Sequence, residues 1–483
     1  MFSALAHTDL AHTGEESLPK TPKVAPQVLY LERNESHLFF NPQIPDWIVV
    51  SANCAYILSL CDGDRTVNDI VSTIGANGTA IDPAEIKRLL AFATARGILI
   101  DGCSAAAVIP DQGHPKGGLE SIYLKLTNRC NLKCDYCYAA SGPGRNVGEQ
   151  TTEEWLALIR QLRAISVDGA RIALTGGEPM IRDDFERIAE YANSLDFRVS
   201  LITNGSLINE TNVKRLASLF KSIQISLDGD ESLHDKHRGQ GAWKKARRAI
   251  DILVSAGAAY SVSLTMGRHN KDAVGELVRE FGPRLRLGST LPTGRAAGSN
   301  TPALENHEYV EAIRSSGAGG LFENVEFLES SRGHHRTHCG AGSHTLSIDE
   351  RGNVFPCQIL ISKEMAGGNV KNGGLKSILD GSPWSALTTA TVDSNPSLNC
   401  ASCHVRYICG GGCKAKLYYS TSRFDGPDGL CQLWRESIIN GMFKTAERPS
   451  SLSVFQQPQS DTQGNSRDEM SILAGSMEMS HPN

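Results

Sequence analysis

Apolar and polar positions along residues 119–330 alternate between two periods, and this pattern predicts a repeat of strands and helices. Short apolar runs predict strands at Ile122–Leu126, Ala170–Leu174, Arg198–Ile202, Ser222–Ser226 and Ser261–Thr265. Helical spacing of apolar residues predicts helices at Glu153–Ile165, Asp183–Ser194, Glu210–Leu219, Ala242–Ala256 and Lys271–Phe281. Such an α/β alternation indicates a parallel sheet or an open barrel, in which functional side chains stand at the carboxyl ends of the strands.

Residues 25–103 have a different pattern, typical of a small winged-helix-like domain. Two strands are predicted at Val28–Leu31 and His37–Asn41, and a last strand at Gly97–Ile100. Helices are predicted at Ala52–Leu60, Thr66–Ile74 and Asp82–Thr94. Asp82 begins the last helix as its cap, with proline in the first turn.

The rest of the chain divides by composition. Residues 1–24 are polar and predict a disordered arm, and the proline and glycine of residues 104–118 predict a linker. Residues 119–334 form the predicted α/β barrel domain. Residues 335–446 hold seven cysteines and many glycines, which indicates a domain organised by metal. Residues 447–483, rich in Ser, Gln and Pro, predict a disordered tail.

Composition narrows the classes of function. The 483 residues carry a net charge of −5, so nothing indicates a nucleic-acid partner. No apolar run resembles a secretory signal or reaches the length of a membrane helix, and we therefore expect a cytoplasmic protein without a membrane partner. Thirteen cysteines are unusual there, because clustered cytosolic cysteines more often hold metal or do redox chemistry than form disulfides.

Three of these cysteines, Cys130, Cys134 and Cys137, directly follow the Ile122–Leu126 strand. A [4Fe–4S] cluster is normally held by four thiolates, so three within eight residues would leave one iron open to a small molecule. A zinc loop or unpaired structural thiols are the alternatives for this spacing alone.

The triad resembles that of the radical S-adenosylmethionine (SAM) superfamily, and other segments share the resemblance. Thr175–Pro179 resembles the GGEP motif, Thr203–Gly205 ends the next strand, and Gln224–Gly229 ends the fourth. The resemblance covers about residues 119–330 and implies a partial (β/α)6 TIM-type barrel.

The resemblance also implies roles. Cys130, Cys134 and Cys137 would be the catalytic ligands of a cluster whose open iron takes the amino and carboxylate groups of SAM. The cofactor-binding residues that it implies are Tyr136 against adenine, the pair Ser226 and Arg238 on the carboxylate, and Gly176, Gly177, Glu178, Pro179 and Asn204 around the amino group and strand ends. Arginine suits a carboxylate because its planar fork pairs with both oxygens.

The C-terminal array resembles the SPASM domain, including Gly352 five residues before Cys357. The resemblance implies two auxiliary [4Fe–4S] clusters. One would be held by Cys400, Cys403, Cys409 and Cys431, and the other by Cys339, Cys357 and Cys413. Seven thiols leave one position over, so one iron is open or takes another ligand, for which His338 and His344 are nearest. A zinc ribbon is the alternative. Cys54, Cys61 and Cys103 are expected to be small buried hydrophobes.

Residues 25–103 resemble the PqqD-like recognition element of enzymes that act on RiPPs, which are ribosomally made, post-translationally modified peptides. The residues that carry this resemblance are Trp47, the Ala52–Leu60 helix, Asp62–Val67 and the Ile81–Thr94 helix. This implies a precursor-peptide partner, bound by strand addition at Val28–Leu31 or His37–Asn41. A DNA-binding winged helix is disfavoured by the acidic balance of the chain.

Together these features predict a radical SAM peptide maturase with three [4Fe–4S] clusters. It would cleave SAM reductively, with an electron donor such as flavodoxin or ferredoxin, and crosslink its peptide through a thioether or carbon–carbon bond. One competitor is formylglycine formation of the sulfatase-maturase type. The other is a non-enzymatic electron carrier or peptide-binding scaffold, which the triad and the GGEP segment disfavour because a carrier needs no SAM pocket.

Overall fold

The structure is a computed structural model that describes residues 18–76, 81–102, 118–144, 148–298, 303–381, 383–394 and 398–447. The predicted arm up to residue 17, most of the linker, the tail from residue 448 and Cys103 lie outside the described residues. Three sheets organise the described chain: one of two strands, one of three and one of nine.

The N-terminal elements confirm both predicted strands, the three helices and the last strand. They are β1 Pro22–Val24, β2 Leu29–Arg33, β3 Ser36–Asn41, β4 Asp46–Ser51, α1 Ala52–Ser59, α2 Val67–Ala76, α3 Pro83–Ala95 and β5 Leu99–Asp101. Sequence reasoning missed β4, whose apolar run joins α1 without a turn. It also placed Pro22–Val24 in the arm, whereas these residues pair with β5 as β1.

The three-stranded sheet has the order β2–β3–β4 and is covered on both faces. Phe39, Ile48 and Val50 pack on α1 to α3. The opposite face carries Leu38, Phe40 and Trp47, which pack on the C-terminal region. Because β3 is paired on both sides, His37–Asn41 cannot accept another strand, and that candidate edge for a peptide is wrong.

The centre of the chain forms the predicted parallel sheet with helices between its strands. The elements are β6 Leu119–Thr127, α4 Thr152–Ala164, β7 Ser166–Gly176, α5 Phe185–Ser194, β8 Arg198–Thr203, α6 Val213–Leu219, β9 Ser222–Ser226, α7 Glu231–Arg238, α8 Ala242–Ser255, β10 Tyr260–Met266, α9 Val274–Phe281 and β11 Leu285–Ser289. The six strands lie side by side in chain order and parallel, as a partial (β/α)6 barrel requires. The predicted fold class is therefore confirmed.

The C-terminal region is joined to this sheet through its first strand. Its elements are α10 Asn306–Ser315, α11 Val325–Ser331, β12 Thr345–Ile348, β13 Asn353–Phe355, β14 Gly368–Asn369, α12 Leu375–Asp380, α13 Ser385–Thr388, α14 Leu398–Ala401, α15 Arg406–Cys409, α16 Lys414–Thr421 and α17 Cys431–Lys444. Strand β12 pairs in parallel with β6, and β13 and β14 extend the sheet in antiparallel fashion. No helix in the described ranges has the length and apolar character needed to cross a membrane.

Candidate active site and cluster sites

The three cysteines of the triad lie in the loop that leaves the carboxyl end of β6. The loop is closed by a hydrogen bond from the Cys130 amide to the Gly142 carbonyl oxygen, at 3.0 Å. The Asn204 side-chain amide, at the end of β8, donates to the Cys130 sulfur at 3.8 Å. All three thiols are half-buried, so the loop presents them at the strand ends where the sequence predicts chemistry.

The GGEP segment packs directly against this loop. The Gly177 amide donates to the Thr127 carbonyl oxygen at 2.7 Å, and the Glu178 amide donates to the Arg129 carbonyl oxygen at 2.9 Å. A Cβ atom on Gly177 would lie 2.1 Å from the Arg129 oxygen. Gly176, with a φ of +132°, would meet the Thr127 oxygen at 2.3 Å. From the sequence we expect these glycines to let a ligand come close to the backbone. In the structure they instead let the backbone that leads into Cys130 come close.

Glu178 is fully buried and organises the end of β8. Its carboxylate accepts hydrogen bonds from the Asn204 amide at 2.9 Å, the Thr203 hydroxyl at 2.8 Å and the Met180 amide at 3.2 Å. Burial raises the pKa of Glu178 to about 7, although the three donors act in the opposite direction. Pro179 follows at the start of a 3-10 turn that ends at Ile181.

Arg238 and Tyr136 meet at a buried carboxylate that the sequence analysis left without a role. The Nε and Nη2 atoms of Arg238 donate to the two oxygens of Asp228 at 2.5 and 3.1 Å, and the Tyr136 hydroxyl donates to the same carboxylate. Burial is the largest effect and opposes ionisation of Asp228, but the Arg238 charge and the hydrogen bonds from Arg238 and Tyr136 act together to lower the pKa of the carboxyl. The pair could have been suspected from Asp228, which lies two residues after Ser226, the last residue of β9. Ser226 itself is half-buried and pairs with Ser263 of β10.

A group of aromatic rings lies beside the Arg238–Asp228 pair. The Tyr136 ring stacks on His269 with centroids 5.3 Å apart, and His237 lies 4.4 Å from His269. His237 also makes a 2.9 Å hydrogen bond with Asp135, between the second and third cysteines. Both ring nitrogens of His269 are buried without a hydrogen-bond partner in the described part of the chain. The site therefore has unused polar atoms beside the cluster loop.

Arg295, which follows β11, holds the same loop from the far side and was missed by sequence reasoning. Its amide donates to the Cys137 carbonyl oxygen at 3.0 Å, and its Nε donates to the Cys134 carbonyl oxygen at 2.7 Å. Its Nη2 is a buried donor without a partner among the described residues. Nothing local marks this arginine, because its position depends on the sixth strand.

The seven C-terminal thiols line two neighbouring cavities, and Cys409 lines both of them. Cys400, Cys403, Cys409 and Cys431 line one. Cys339, Cys357 and Cys413 line the other, which has a volume of about 460 Å³ and is walled mainly by apolar side chains. Apart from the shared Cys409, this grouping agrees with the two ligand sets that the SPASM resemblance implies, which stay a prediction. Neither His338 nor His344 lines either cavity, and both rings bond to the Ser343 hydroxyl.

The chemistry of these thiols fits a bound iron–sulfur cluster. Burial raises the pKa of Cys357 and of Cys409 to about 12, so neither would ionise near neutral pH without a cation. Metal binding deprotonates a thiol and satisfies the thiolate. Among the described residues no three His, Cys, Asp or Glu side chains meet closely enough to hold one ion, and a cubane, whose thiolates sit on separate irons, does not need such a meeting.

Comparison with known proteins places this geometry in a family. Residues 124–281 match the model of the radical SAM superfamily, and residues 339–404 match the SPASM iron–sulfur cluster-binding domain. The mycofactocin maturase MftC of Mycobacterium ulcerans is 31% identical over 323 residues, which span 64% of this chain and 86% of that protein. The chain belongs to the radical SAM superfamily. It is an enzyme of the branch that carries a SPASM domain, and its cofactors are a [4Fe–4S] cluster with SAM and auxiliary iron–sulfur clusters.

Two solved structures share the fold. That of anSMEcpe with bound AdoMet superposes with a TM-score of 0.53 at 18% identity, over 68% of this chain and 100% of that one. That of Streptococcus suis SuiB bound to S-adenosylmethionine has a TM-score of 0.50 at 15% identity, over 85% of this chain and 100% of that one. The SuiB match covers more of the chain than residues 118–483 contain, so it extends into the N-terminal domain.

Proposed function

We propose that this radical SAM enzyme modifies a ribosomally made precursor peptide, by a thioether or carbon–carbon crosslink. The observation that carries the proposal is that one chain combines a triad loop, two thiol cavities and an N-terminal sheet whose β2 edge pairs with no other described strand. Cys130, Cys134 and Cys137 would hold a [4Fe–4S] cluster, which would supply the electron for reductive cleavage of SAM to a 5′-deoxyadenosyl radical. A flavodoxin or ferredoxin would deliver that electron. The protein itself binds SAM and the peptide, orients them, and excludes water from the site.

The residues around the triad would bind SAM by different means. Asp228 fixes two nitrogens of Arg238, and the third remains for the SAM carboxylate, with Ser226 beside it at the end of β9. Glu178 holds the Asn204 backbone in place, while Gly176, Gly177 and Pro179 set the path of the adjoining turn. Tyr136 contributes an aromatic wall for adenine. Asp228 and Arg295 join this set as positioning residues.

We assign three [4Fe–4S] clusters to the chain. Beyond the triad, Cys400, Cys403, Cys409 and Cys431 would hold the second auxiliary cluster completely. Cys339, Cys357 and Cys413 would hold the first, which lacks a fourth thiolate. Because His338 and His344 lie outside its cavity, we infer that the open iron faces the apolar cavity and takes the thiolate of a substrate cysteine.

The precursor peptide would bind as an added strand at β2. Among the described residues strand β2 has a neighbour on one side only, and Tyr30 on this strand is 37% exposed. The other outer strand, β4, is occupied, because Arg332 donates to the Trp47 carbonyl oxygen at 2.6 Å. An extended leader on β2 would gain backbone hydrogen bonds along the strand.

The test uses reconstituted enzyme, SAM, a reductant and the short peptides encoded beside its gene. A crosslink removes two hydrogens from the peptide, whereas formylglycine formation from cysteine removes the sulfur. We expect 5′-deoxyadenosine together with a peptide that has lost two hydrogens, and a changed EPR signal of one auxiliary cluster only with a Cys-containing peptide. Loss of the sulfur would favour formylglycine formation, and absence of 5′-deoxyadenosine would remove the enzymatic proposal.

A further inference from the structure

The N-terminal sheet rests on the same polypeptide that carries the thiols of the second auxiliary cluster. We call residues 398–413 together with α17 the cluster wrap. Three fully buried side chains of the sheet pack against the wrap: Leu38, Phe40 and Trp47. The wrap contributes Val405, Ile408 and Met442. Cys403 and Cys409, two of the proposed ligands, belong to this same apolar cluster.

Polar contacts surround this apolar interface. The Trp47 indole nitrogen donates to the Thr445 hydroxyl at 3.2 Å, just beyond α17. Arg33 of β2 donates to the Asn440 side chain of α17 at 2.9 Å, and its guanidinium lies 4.9 Å from the Phe443 ring centre. Arg332 bonds to Asp46 at 2.8 Å and covers the Trp47 ring at 3.7 Å. These contacts hold the face of the sheet that carries Leu38, Phe40 and Trp47 against the cluster wrap.

A second route leads from a ligand thiol to the sheet. Tyr407 lies in α15, two residues before Cys409, and its ring stacks on His335 at 4.2 Å. The Nε2 atom of His335 lies 2.6 Å from the Gln43 carbonyl oxygen, between β3 and β4. Movement of α15 would therefore displace His335 and its contact with the turn between β3 and β4.

The wrap has little structure that could hold it in place by itself. Helices α14 and α15 have four residues each, and a single turn is not stable in isolation. Gly410, Gly411 and Gly412 follow, with φ values of +65°, +81° and +74°, a path that glycine adopts and leaves easily. Four thiols bound to one cluster would tie this segment to Cys431, the first residue of α17.

We propose that the second auxiliary cluster is the structural anchor of the recognition sheet: its ligation orders the surface on which Leu38, Phe40 and Trp47 pack. The sheet then holds the leader in one fixed direction relative to the barrel. This inference rests on the proposed assignment of four thiols to one cluster. Coupling between two equilibria is reciprocal, so docking of the sheet must in turn retain the cluster.

Two neighbouring phenylalanines on β3 provide a matched test. Phe40 faces the wrap and Phe39 faces the helices of its own domain. Reconstituted full-length enzyme is exposed to an iron chelator, and iron release is followed with time. We expect Phe40→Ala to release about four irons roughly tenfold faster than the wild type. Phe39→Ala removes the same side chain from the other face and should release iron at the wild-type rate. Equal rates in both variants would overturn the inference.

The reverse arm removes the anchor. The double variant Cys403→Ser, Cys431→Ser should contain about four fewer irons than the wild type. Backbone hydrogen exchange of residues 36–51 should then accelerate, while that of residues 198–203 in the barrel stays unchanged. Loss of the irons with unchanged exchange in residues 36–51 overturns the anchor and leaves the proposed function intact. Unchanged iron content in this variant shows instead that the cluster assignment, and the anchor with it, is wrong.

Discussion

Glu178 carries the most quantitative prediction, since one buried carboxyl holds the strand end beside the triad. Changing Glu178→Gln keeps the size of the side chain but replaces one acceptor oxygen with a donor. The amide cannot accept from both the Thr203 hydroxyl and the Asn204 backbone, so one buried donor loses its partner. An unsatisfied buried donor costs about 1–3 kcal/mol. Local opening of residues 200–208 should therefore increase by about 5–150-fold.

The pH dependence has a definite sign. Burial raises the pKa of Glu178 from 4.5 to about 7, so between these values the closed state keeps a proton that the open state has released. The stability of the closed state accordingly falls as pH rises through this window, at about 1.4 kcal/mol per unit. Between about pH 5.5 and about pH 8, the wild type should lose roughly 2 kcal/mol of local stability. The glutamine variant has nothing to titrate.

Hydrogen exchange measured by mass spectrometry, on the peptide covering residues 200–208, tests both statements. Wild type and variant are compared at the same pH, so the intrinsic exchange rate cancels. We expect the excess opening of the variant to shrink roughly 30-fold between the two pH values. Asp183→Asn, which alters an exposed carboxylate nearby, should match the wild type at both. A variant-to-wild-type ratio that is independent of pH would refute the assignment of this titration to Glu178.

Three other outcomes follow from the site. Changing Cys130, Cys134 and Cys137 together to alanine should abolish 5′-deoxyadenosine formation yet leave about eight irons bound, by analysis of reconstituted protein; continued 5′-deoxyadenosine formation would contradict the mechanism. The wild type should hold about twelve irons, and a plateau near four would remove the auxiliary clusters. Asp228→Asn leaves the Arg238 charge buried without its carboxylate and should destabilise the barrel by about 3–5 kcal/mol in denaturant unfolding. Asp228→Glu keeps the negative charge and should restore part of this stability. An unchanged unfolding midpoint in Asp228→Asn would show that the pair is solvated.

The ligand sets could be predicted because their chemistry is local. The three thiols of the triad fall within eight residues, and an open cluster imposes that spacing whatever surrounds it. The strand ends were predictable for a similar reason, since buried parallel strands read as short apolar runs. The division of the seven later thiols came from resemblance to a family, and the two cavities group six of them in the same way, while Cys409 lines both.

Side chains that act across the barrel could not be predicted in this way. Arg295 reaches the Cys134 and Cys137 carbonyl oxygens only because β11 is the last strand of the parallel series. Strand β11 has no clear apolar run, because arginine and glycine are among its five residues Leu285–Ser289. Asp228 was visible at the end of β9, but its pairing with Arg238 depends on how α7 folds back. Partners that meet through topology leave no spacing to recognise.

The sequence nonetheless carries one long-range signal that a reading of local motifs passes over. Leu38, Phe39 and Phe40 are consecutive and apolar, and the following strand contains Trp47, Ile48, Val49 and Val50. A half-exposed strand alternates apolar and polar residues, so a strand without a polar face must be covered twice. The helices of the domain cover one face only. A second surface was therefore required, and in this chain it is the polypeptide around Cys403 and Cys409. The apolar run of β3 thus already implies that the N-terminal domain does not cover its own sheet completely.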